Sequence, residues 1–335
     1  MRSSLAARAA AVAVGAALLQ LVMIVAFSWP AARTAPRDVP VIVAGPRAAA
    51  VADLLDRRRP GAFDVRIRPD EAAARAAIAD REAYGAIVTA PSGPKVLTAS
   101  AASPLVAQQL GAMAAGLRPE GAGASAPVRD SASAAVQDVV AADPDDPRGA
   151  GFGALALPLV MSGLAAAVLL TFGVPSLAWR FAAAVLFAVL GGLDVAWIAQ
   201  GWLSLLPGSY ATLAGVMSLS ILAVTGTVAG LAAAVGRAGL GLGALTLLLL
   251  GNPLSAATSA PELLPQPWGT IGQYLPPGAS ATLLRSAAFF DGAGGAGPLA
   301  VLAAWACAGL ALMALGGLRR RSRGEAVPDR EPVPA

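Results

Sequence analysis

The stretch GNPLSAATSAPELLPQPWGTIGQYLPPGASATLLRS, residues 251–286, lies between two apolar runs and contains six prolines but only two charged residues. An aqueous loop would be more polar, and a continuous helix would not tolerate so many residues that lack a backbone donor. Non-helical backbone occurs at membrane depth only where protein or a water-filled cavity satisfies its polar groups. We therefore expect residues 252–297 to form a re-entrant loop at the outer side of a membrane.

The composition of the whole chain supports a membrane setting. Of its 335 residues, 56% are hydrophobic and 13% are charged, whereas soluble domains carry about 25% charged residues. Several apolar runs exceed the length of about 18 residues that a membrane helix needs. The sequence predicts a mainly α-helical polytopic membrane protein with six transmembrane helices, at residues 9–29, 152–173, 180–200, 209–235, 238–257 and 298–317.

The distribution of arginine predicts which side each loop occupies. If the helices alternate, then Arg2, Arg8, Arg180, Arg237 and the run that begins at Arg319 all fall on one side. By the positive-inside rule that side is the cytoplasm. We expect both termini in the cytoplasm of a bacterial cell and residues 30–150 outside its membrane. The first apolar run, Ala9–Trp29, is either an uncleaved membrane helix or the core of a cleaved signal peptide, for which it is long. Both interpretations place residues 30–150 outside.

The segment between the first two helices has the pattern of a folded domain. VPVIVAG, FDVRIRP, YGAIVTA and KVLTAS read as strands, and helical stretches separate or follow them. Asp70 is a candidate N-cap for the helix that runs to Asp80. This alternation predicts a small extracytoplasmic α/β domain over 31–116. We interpret 117–150, rich in Ala, Gly, Pro and Asp, as a tether, 151–318 as a five-helix membrane domain, and 319–335 as a cytoplasmic basic tail.

Candidate functional side chains are few. Asp194 is the one ionisable residue well inside a predicted span, so it either lines a polar substrate path or reaches interfacial water and Gln200. Ser218 and Thr225, with the small residues of GTVAG at 226–230, either face a substrate path or allow close helix packing. In the outer loop we predict a gate that begins at the helix break Asn252–Pro253. Two short helices follow, Trp268–Leu275 and Ala281–Phe290, with the turn Pro276–Pro277–Gly278 between them and Arg285 extended toward lipid headgroups.

Several classes of chemistry are excluded by residue usage. The chain has no histidine and one cysteine, Cys307, which rules out a Ser-His pair and an internal disulfide. No phosphate-binding loop is present, because the glycines of GLGLG at 239–243 follow no strand and precede no Lys-Ser/Thr. DPDDP at 143–147 reads as a solvated turn in preference to a cation site. We predict no catalytic residue, no metal and no cofactor in this chain, and no nucleic-acid partner.

The order of these features resembles a known family. One span, a large outer domain, five further spans and short helices between the last two are similar to the ABC-2 type transporter permeases, in particular the phage-infection-protein-like and actinobacterial permease-like branch. YGAIVTAPSGPKVLTASAAS and the loop that opens this section carry the resemblance. It implies a dimer of permeases, a separate ATP-binding subunit, and export of a lipid, polymer or drug-like substrate. The sequence departs from the family in the short loop at 173–180, where a coupling helix is usual.

Two functions follow from these observations. The first is a permease subunit of an ATP-dependent exporter that contacts membrane lipid. The second is a scaffold or surface receptor whose outer domain binds an envelope partner. An enzyme within the membrane is a third class, and no nucleophile motif favours it.

Overall fold

The structure, a computed structural model, describes residues 2–90, 93–116 and 135–325. The first helix, α1, runs from Arg2 to Ala32, and its residues Leu5–Ala32 are long and apolar enough to cross a bilayer. None of the residues in its most apolar window is buried. α1 meets the rest of the chain near its end, where Trp29 lies edge-on to Trp268 with 6.4 Å between the ring centroids.

A five-stranded sheet with three helices follows α1, and we call it the sheet domain. Its elements are β1 (Val39–Ala44), α2 (Ala48–Arg58), β2 (Phe63–Arg68), α3 (Glu71–Ala79), β3 (Gly85–Ala90), β4 (Gly93–Thr98), α4 (Pro104–Gly116) and β5 (Ala135–Asp138). The strand order is β2-β1-β3-β4-β5, parallel except where β3 meets β4. Helices α2 and α4 supply Leu55 and Leu110 to the core on one face, and α3 supplies Ile78 to the core on the other. Burial on both faces explains the continuous apolar run of β1.

Most of these elements lie where the sequence predicts them. The four predicted strands are β1 to β4, and the helical stretches predicted to separate or follow them are α2 to α4. Asp70 caps α3, because its Oδ1 accepts a 2.8 Å hydrogen bond from the backbone N–H of Ala73. The local pattern of apolar residues and caps was enough to find them.

The fifth strand corrects the interpretation of 117–150 as a tether. β5 pairs with Lys95–Thr98 of β4, so backbone hydrogen bonds fix a segment whose exposed side chains give no strand pattern. Farther along, Asp146 is only 8% exposed, and its Oδ2 accepts a 2.8 Å hydrogen bond from the backbone N–H of Phe152. Residues 117–134 of the predicted tether lie outside the described residues.

Residues 150–325 form seven α-helices. They are α5 (Ala150–Gly173), α6 (Leu177–Ala196), α7 (Tyr210–Val235), α8 (Arg237–Ala244), α9 (Trp268–Gln273), α10 (Pro276–Phe289) and α11 (Ala296–Glu325). A π-helical turn, Trp197–Trp202, extends α6. With α1, the helices α5, α6, α7 and α11 make five that are long and apolar enough to cross a membrane. In α7, 72% of the most apolar window is buried, far more than in the other four, so α7 is the centre of the bundle.

The span predicted at 238–257 is shorter than expected. α8 has 8 residues and continues as a π-helix of 7 residues, Leu245–Gly251. At 1.5 Å per residue the two together reach about 22 Å, less than the bilayer core of about 30 Å. The helix stops before Asn252 and Pro253 because proline has no donor to continue it. The structure therefore has five full-length apolar helices and one short one.

The last helix, α11, continues beyond its predicted end at 317 into the basic tail. Residues 326–335 of that tail lie outside the described residues.

Small residues bring the helices of the bundle close together. A Cβ atom placed on Gly230 of α7 would lie 2.3 Å from the carbonyl oxygen of Gly309 in α11. Where α7 meets α6, a Cβ on Gly192 of α6 would lie 2.1 Å from Oγ of Ser218. Backbones that approach this closely are typical of helix association in membranes, where small residues at the contact are favoured.

The segment between α8 and α11 is folded throughout. Two short helices are present as predicted, but the turn between them is misplaced in the prediction: α10 begins at Pro276, with Pro277 and Gly278 in its first turn, and the chain reverses at Tyr274–Leu275. The first helical positions need no backbone donor, and the fixed φ of proline suits them.

Candidate functional site

Residues 252–293, called here the junction segment, pack between the helix bundle and the sheet domain. Ala260 and Leu263 belong to the core on the α2/α4 face of the sheet, and Phe290 belongs to the core on the α3 face. In the other direction, Ala281 and Leu284 pack into the core shared by α5, α6 and α7. The junction segment is therefore a structural part of both halves of the protein.

Hydrogen bonds join Glu262 and Leu263 to the sheet domain and to the chain that leads into it. The backbone N–H of Ala35 and Nη1 of Arg37 both donate to the carbonyl oxygen of Leu263, each at 3.0 Å. The hydroxyl of Tyr84 donates to Oε2 of Glu262 at 2.8 Å. Burial raises the pKa of Tyr84, and the adjacent Glu262 carboxylate raises it further, so the phenol keeps its proton and remains a donor.

A second connection lies at the other end of the junction segment. Nη1 of Arg81 donates to the carbonyl oxygen of Thr282 at 3.0 Å. The Arg81 guanidinium also lies over the ring of Phe290, 5.2 Å from its centroid, a cation–π geometry. Burial lowers the pKa of Arg81. The first connection holds the junction segment at the core on the α2/α4 face of the sheet, where Leu263 packs. The second holds it at the core on the α3 face, where Phe290 packs.

Arg285 contradicts the expectation that it extends to lipid headgroups. Its residue is 6% exposed, its Nη2 donates to the carbonyl oxygen of Ala257 at 2.7 Å, and its guanidinium lies 4.5 Å from the centroid of the Phe152 ring. Arg285 lies on the part of α10 that packs against the start of α5, so a carbonyl oxygen and an aromatic face are within its reach and its side chain is buried instead of extended. Arg285 ties α10 to the irregular part of the junction segment and to the start of α5.

A cavity of about 320 Å³ lies between the end of α1, the start of α5 and the irregular chain that follows α8. Two of the predicted gate residues, Asn252 and Pro253, line it. So do Ser255 and Ser259, whereas Phe27, Leu105, Leu157 and Leu264 provide apolar walls. No charged residue is among the described residues that line it. We call this space the α1 cavity.

The other predicted gate residues do not line the α1 cavity, and two of them, Pro277 and Gly278, are closely packed. A Cβ on Gly278 would lie 2.2 Å from the carbonyl oxygen of Gly272, so only glycine fits where α9 and α10 cross. The Pro277 ring closes on Gly251, whose Cβ position is 2.8 Å from Cγ of Pro277. Trp268 is 41% exposed and contacts Trp29. Pro277 and Gly278 therefore serve helix packing, and Trp268 lies at a partly exposed contact with α1.

The candidates in the bundle fall in three different places. Asp194 is exposed on α6 and does not line the α1 cavity, and Gln200 donates to the carbonyl oxygen of Gly208. Ser218 lies at the α6–α7 contact. Thr225 is fully buried and its Oγ1 donates to the carbonyl oxygen of Gly163 in α5 at 3.3 Å. The three residues therefore form no common polar path.

The contacts of Arg37, Arg81, Tyr84 and Glu262 were missed by the sequence analysis. One signal could have found part of them: Glu262 is the only acidic residue between Asp194 and Asp291. A lone carboxylate in an apolar region needs a partner. Its partner, Tyr84, lies 178 residues away in the chain, and nothing local identifies it.

Among residues 2–90, 93–116 and 135–325, no group of His, Cys, Asp and Glu residues has the arrangement of a metal site. Comparisons with protein-family models, with characterised proteins and with solved structures give no match for this chain.

Proposed function

We propose that this chain is a permease subunit of an ATP-dependent exporter, with the ATPase supplied by a separate chain. The observation that supports it is the α1 cavity, where a membrane helix breaks and irregular backbone lines a space between helices. Irregular backbone at membrane depth is tolerated where it lines a cavity, and transporters place substrate sites at interrupted helices.

In this proposal the junction segment is the outer wall of the path and the sheet domain holds it in place. Residues 30–150 face outside a bacterial cell membrane and both termini face the cytoplasm, in accord with the arginines at the α5–α6 and α7–α8 connections. The protein spans the membrane six times, with the α8 helix as the short fifth span, and functions as a dimer with a second permease chain.

The contact with an ATPase cannot use a coupling helix between α5 and α6. That connection is the three-residue stretch Val174–Ser176, and Nη2 of Arg180 donates to the carbonyl oxygen of Val174 at 2.8 Å. The cytoplasmic extension of α11 past residue 318 and the turn at Arg237 provide the remaining surface. A groove of about 610 Å³ between the α5–α6 connection and α11 lies at the same end.

The test begins with purification of the full chain from its native membrane, followed by mass spectrometry of what remains bound. An ATP-binding subunit should co-purify, and the complex should hydrolyse ATP. Capture of an envelope protein without any ATPase would overturn the proposal and support the scaffold or receptor function.

A crosslink then tests the α1 cavity itself. In a Cys307→Ala background, Ala31→Cys and Ser259→Cys place one thiol on α1 and one on the irregular chain, both in the lining of the cavity. A short cleavable bis-maleimide should stop ATP turnover by the complex, and cleavage of the linker should restore it. The matched control pairs Ala32→Cys, which does not line the cavity, with Ser259→Cys. Equal turnover before and after crosslinking of the Ala31 pair would show that the cavity does not move during the cycle.

Sidedness has its own measurement. Asp56→Cys on α2 and Ser322→Cys near the C-terminus, each in the Cys307→Ala background, are exposed to an impermeant thiol reagent on intact cells. The α2 position should be labelled and the C-terminal one should not. The reverse pattern would invert the proposed topology.

A further inference from the structure

The lining of the α1 cavity identifies a class of ligand. We infer that the cavity binds the uncharged, hydroxyl-bearing end of an amphiphile such as a neutral lipid, while the apolar part of that molecule lies along α1 and α5. This inference rests on the proposed function, because it names the substrate class of the same site.

The first argument is charge. The described lining of the cavity contains no Asp, Glu, Lys or Arg, and the nearby Arg285 is already directed at Ala257 and Phe152. A charged group that gives up its water here finds no counter-ion among the described lining residues, and an unpaired charge removed from water pays a large desolvation cost. A phosphate or an ammonium group would therefore be excluded, and an uncharged polar group would not.

The second argument is unused hydrogen-bonding capacity. Asn252 is half-buried where the helix breaks, and its side-chain amide makes no hydrogen bond to the described residues. Ser259, also half-buried, adds a hydroxyl with no described partner. An amide offers two donors and an acceptor, so this wall matches a group that both donates and accepts, such as a hydroxyl or an amide of the ligand.

The third argument is access. Leu157, on the α5 wall, is 44% exposed at the surface of the bundle, and α1 has exposed apolar side chains along its length. The cavity is thus continuous with surfaces that lipid tails cover. A volume of about 320 Å³ falls at the low end for small-molecule sites, so it accommodates the polar end of an amphiphile and leaves the tail outside.

The experiment uses the purified full chain in nanodiscs and two photoactivatable probes with the same acyl chains. One probe is a diacylglycerol and the other is the corresponding phosphatidic acid. The diacylglycerol probe should label peptides from 252–264 or 27–34 at least about tenfold more than the phosphate probe, since a desolvated charge costs more than 1.4 kcal/mol. Equal labelling by the two probes, or labelling elsewhere in the chain, would overturn the inference.

Three variants identify the site. Ala31→Trp fills the cavity from α1 and should abolish diacylglycerol labelling, whereas Ala32→Trp, on the neighbouring position outside the lining, should leave it unchanged. Asn252→Leu keeps the size of the side chain and should reduce labelling about fivefold, the value of one hydrogen bond. It provides a reading that is independent of α1. Unchanged labelling in both Ala31→Trp and Asn252→Leu contradicts the inference.

The two proposals fail separately. Selective labelling by diacylglycerol without any co-purifying ATPase would remove the exporter proposal and leave a neutral-lipid site. An active ATPase complex that labels equally with both probes would keep the exporter and remove the substrate class.

Discussion

A methyl group on Gly230 tests whether α7 and α11 are as close as the structure has them. The Cβ atom of Gly230→Ala would lie 2.3 Å from the carbonyl oxygen and 3.0 Å from the carbonyl carbon of Gly309. Ordinary contact starts near 3.4 Å, so the helices must separate by about 1 Å. Both obstructing atoms are backbone, and no side chain can rotate away. A gap of this size forfeits a quarter to a half of each dispersion contact along the seam, and overpacking of this kind costs about 1–3 kcal/mol.

The assay is unfolding of the purified protein in detergent, followed by tryptophan fluorescence during an SDS titration. The matched control is Gly215→Ala in the same helix, where a Cβ would meet nothing within 4 Å. That control should be neutral or stabilising by up to about 1 kcal/mol, because alanine loses less backbone entropy in a helix. If Gly230→Ala and Gly215→Ala unfold at the same SDS fraction, the close contact between α7 and α11 is wrong.

Three further predictions concern side chains outside that seam. Tyr84→Phe removes the one donor described for the Glu262 carboxylate and should lower the free energy of unfolding by about 1.5–3 kcal/mol. Backbone hydrogen exchange across 260–290 should become faster. Unchanged exchange there would show that the pair does not hold the junction segment. Asp194→Asn should leave expression and ATP turnover unchanged, since Asp194 is exposed on α6, and a clear loss of turnover would place it on the path. Hydrogen bonds from Lys95, and secondarily from Arg75, lower the pKa of Glu71. The stabilisation of the folded state by these bonds is therefore fully present above the ordinary carboxyl pKa of 4.5. It is lost as the pH falls through the lowered pKa of folded Glu71. Unfolding at pH 7 and pH 3 should therefore differ less in Lys95→Met than in the wild type, and an equal difference would contradict the assignment.

The local sequence pattern was sufficient to predict those elements that neighbouring residues define. The alternation of FDVRIRP and the cap at Asp70 identify β2 and α3 without reference to the rest of the chain. The apolar runs identify the long helices in the same way. The position of α10 was also within reach, because Pro276 and Pro277 are favoured in the first turn of a helix, and the sequence analysis placed them in the preceding turn.

Contacts between distant parts of the chain could not be predicted from the sequence. Arg285 was expected to extend to lipid headgroups because its neighbours in the sequence are apolar. In the structure its guanidinium contacts the ring of Phe152 and the carbonyl oxygen of Ala257, which are distant from it in the sequence. β5 was missed because a strand of four exposed residues is defined by its partner β4 and not by its own side chains. The α1 cavity is likewise a product of tertiary packing, and only its residues Asn252 and Pro253 carried a signal.

The sheet domain packs against the junction segment, which is synthesised much later, and this has a consequence for folding during translation. Tyr84 is made 178 residues before its partner Glu262, and Arg81 is made 201 residues before Thr282. Chains are made from the N-terminus at about 5–20 residues per second and fold as they emerge. For many seconds the surfaces of the sheet domain against which Leu263 and Phe290 will pack are therefore exposed. During that time the nascent chain has two apolar patches and an unmatched tyrosine. A chain that is released before residue 260 should consequently be a substrate for quality-control proteases even though all of its sheet is complete.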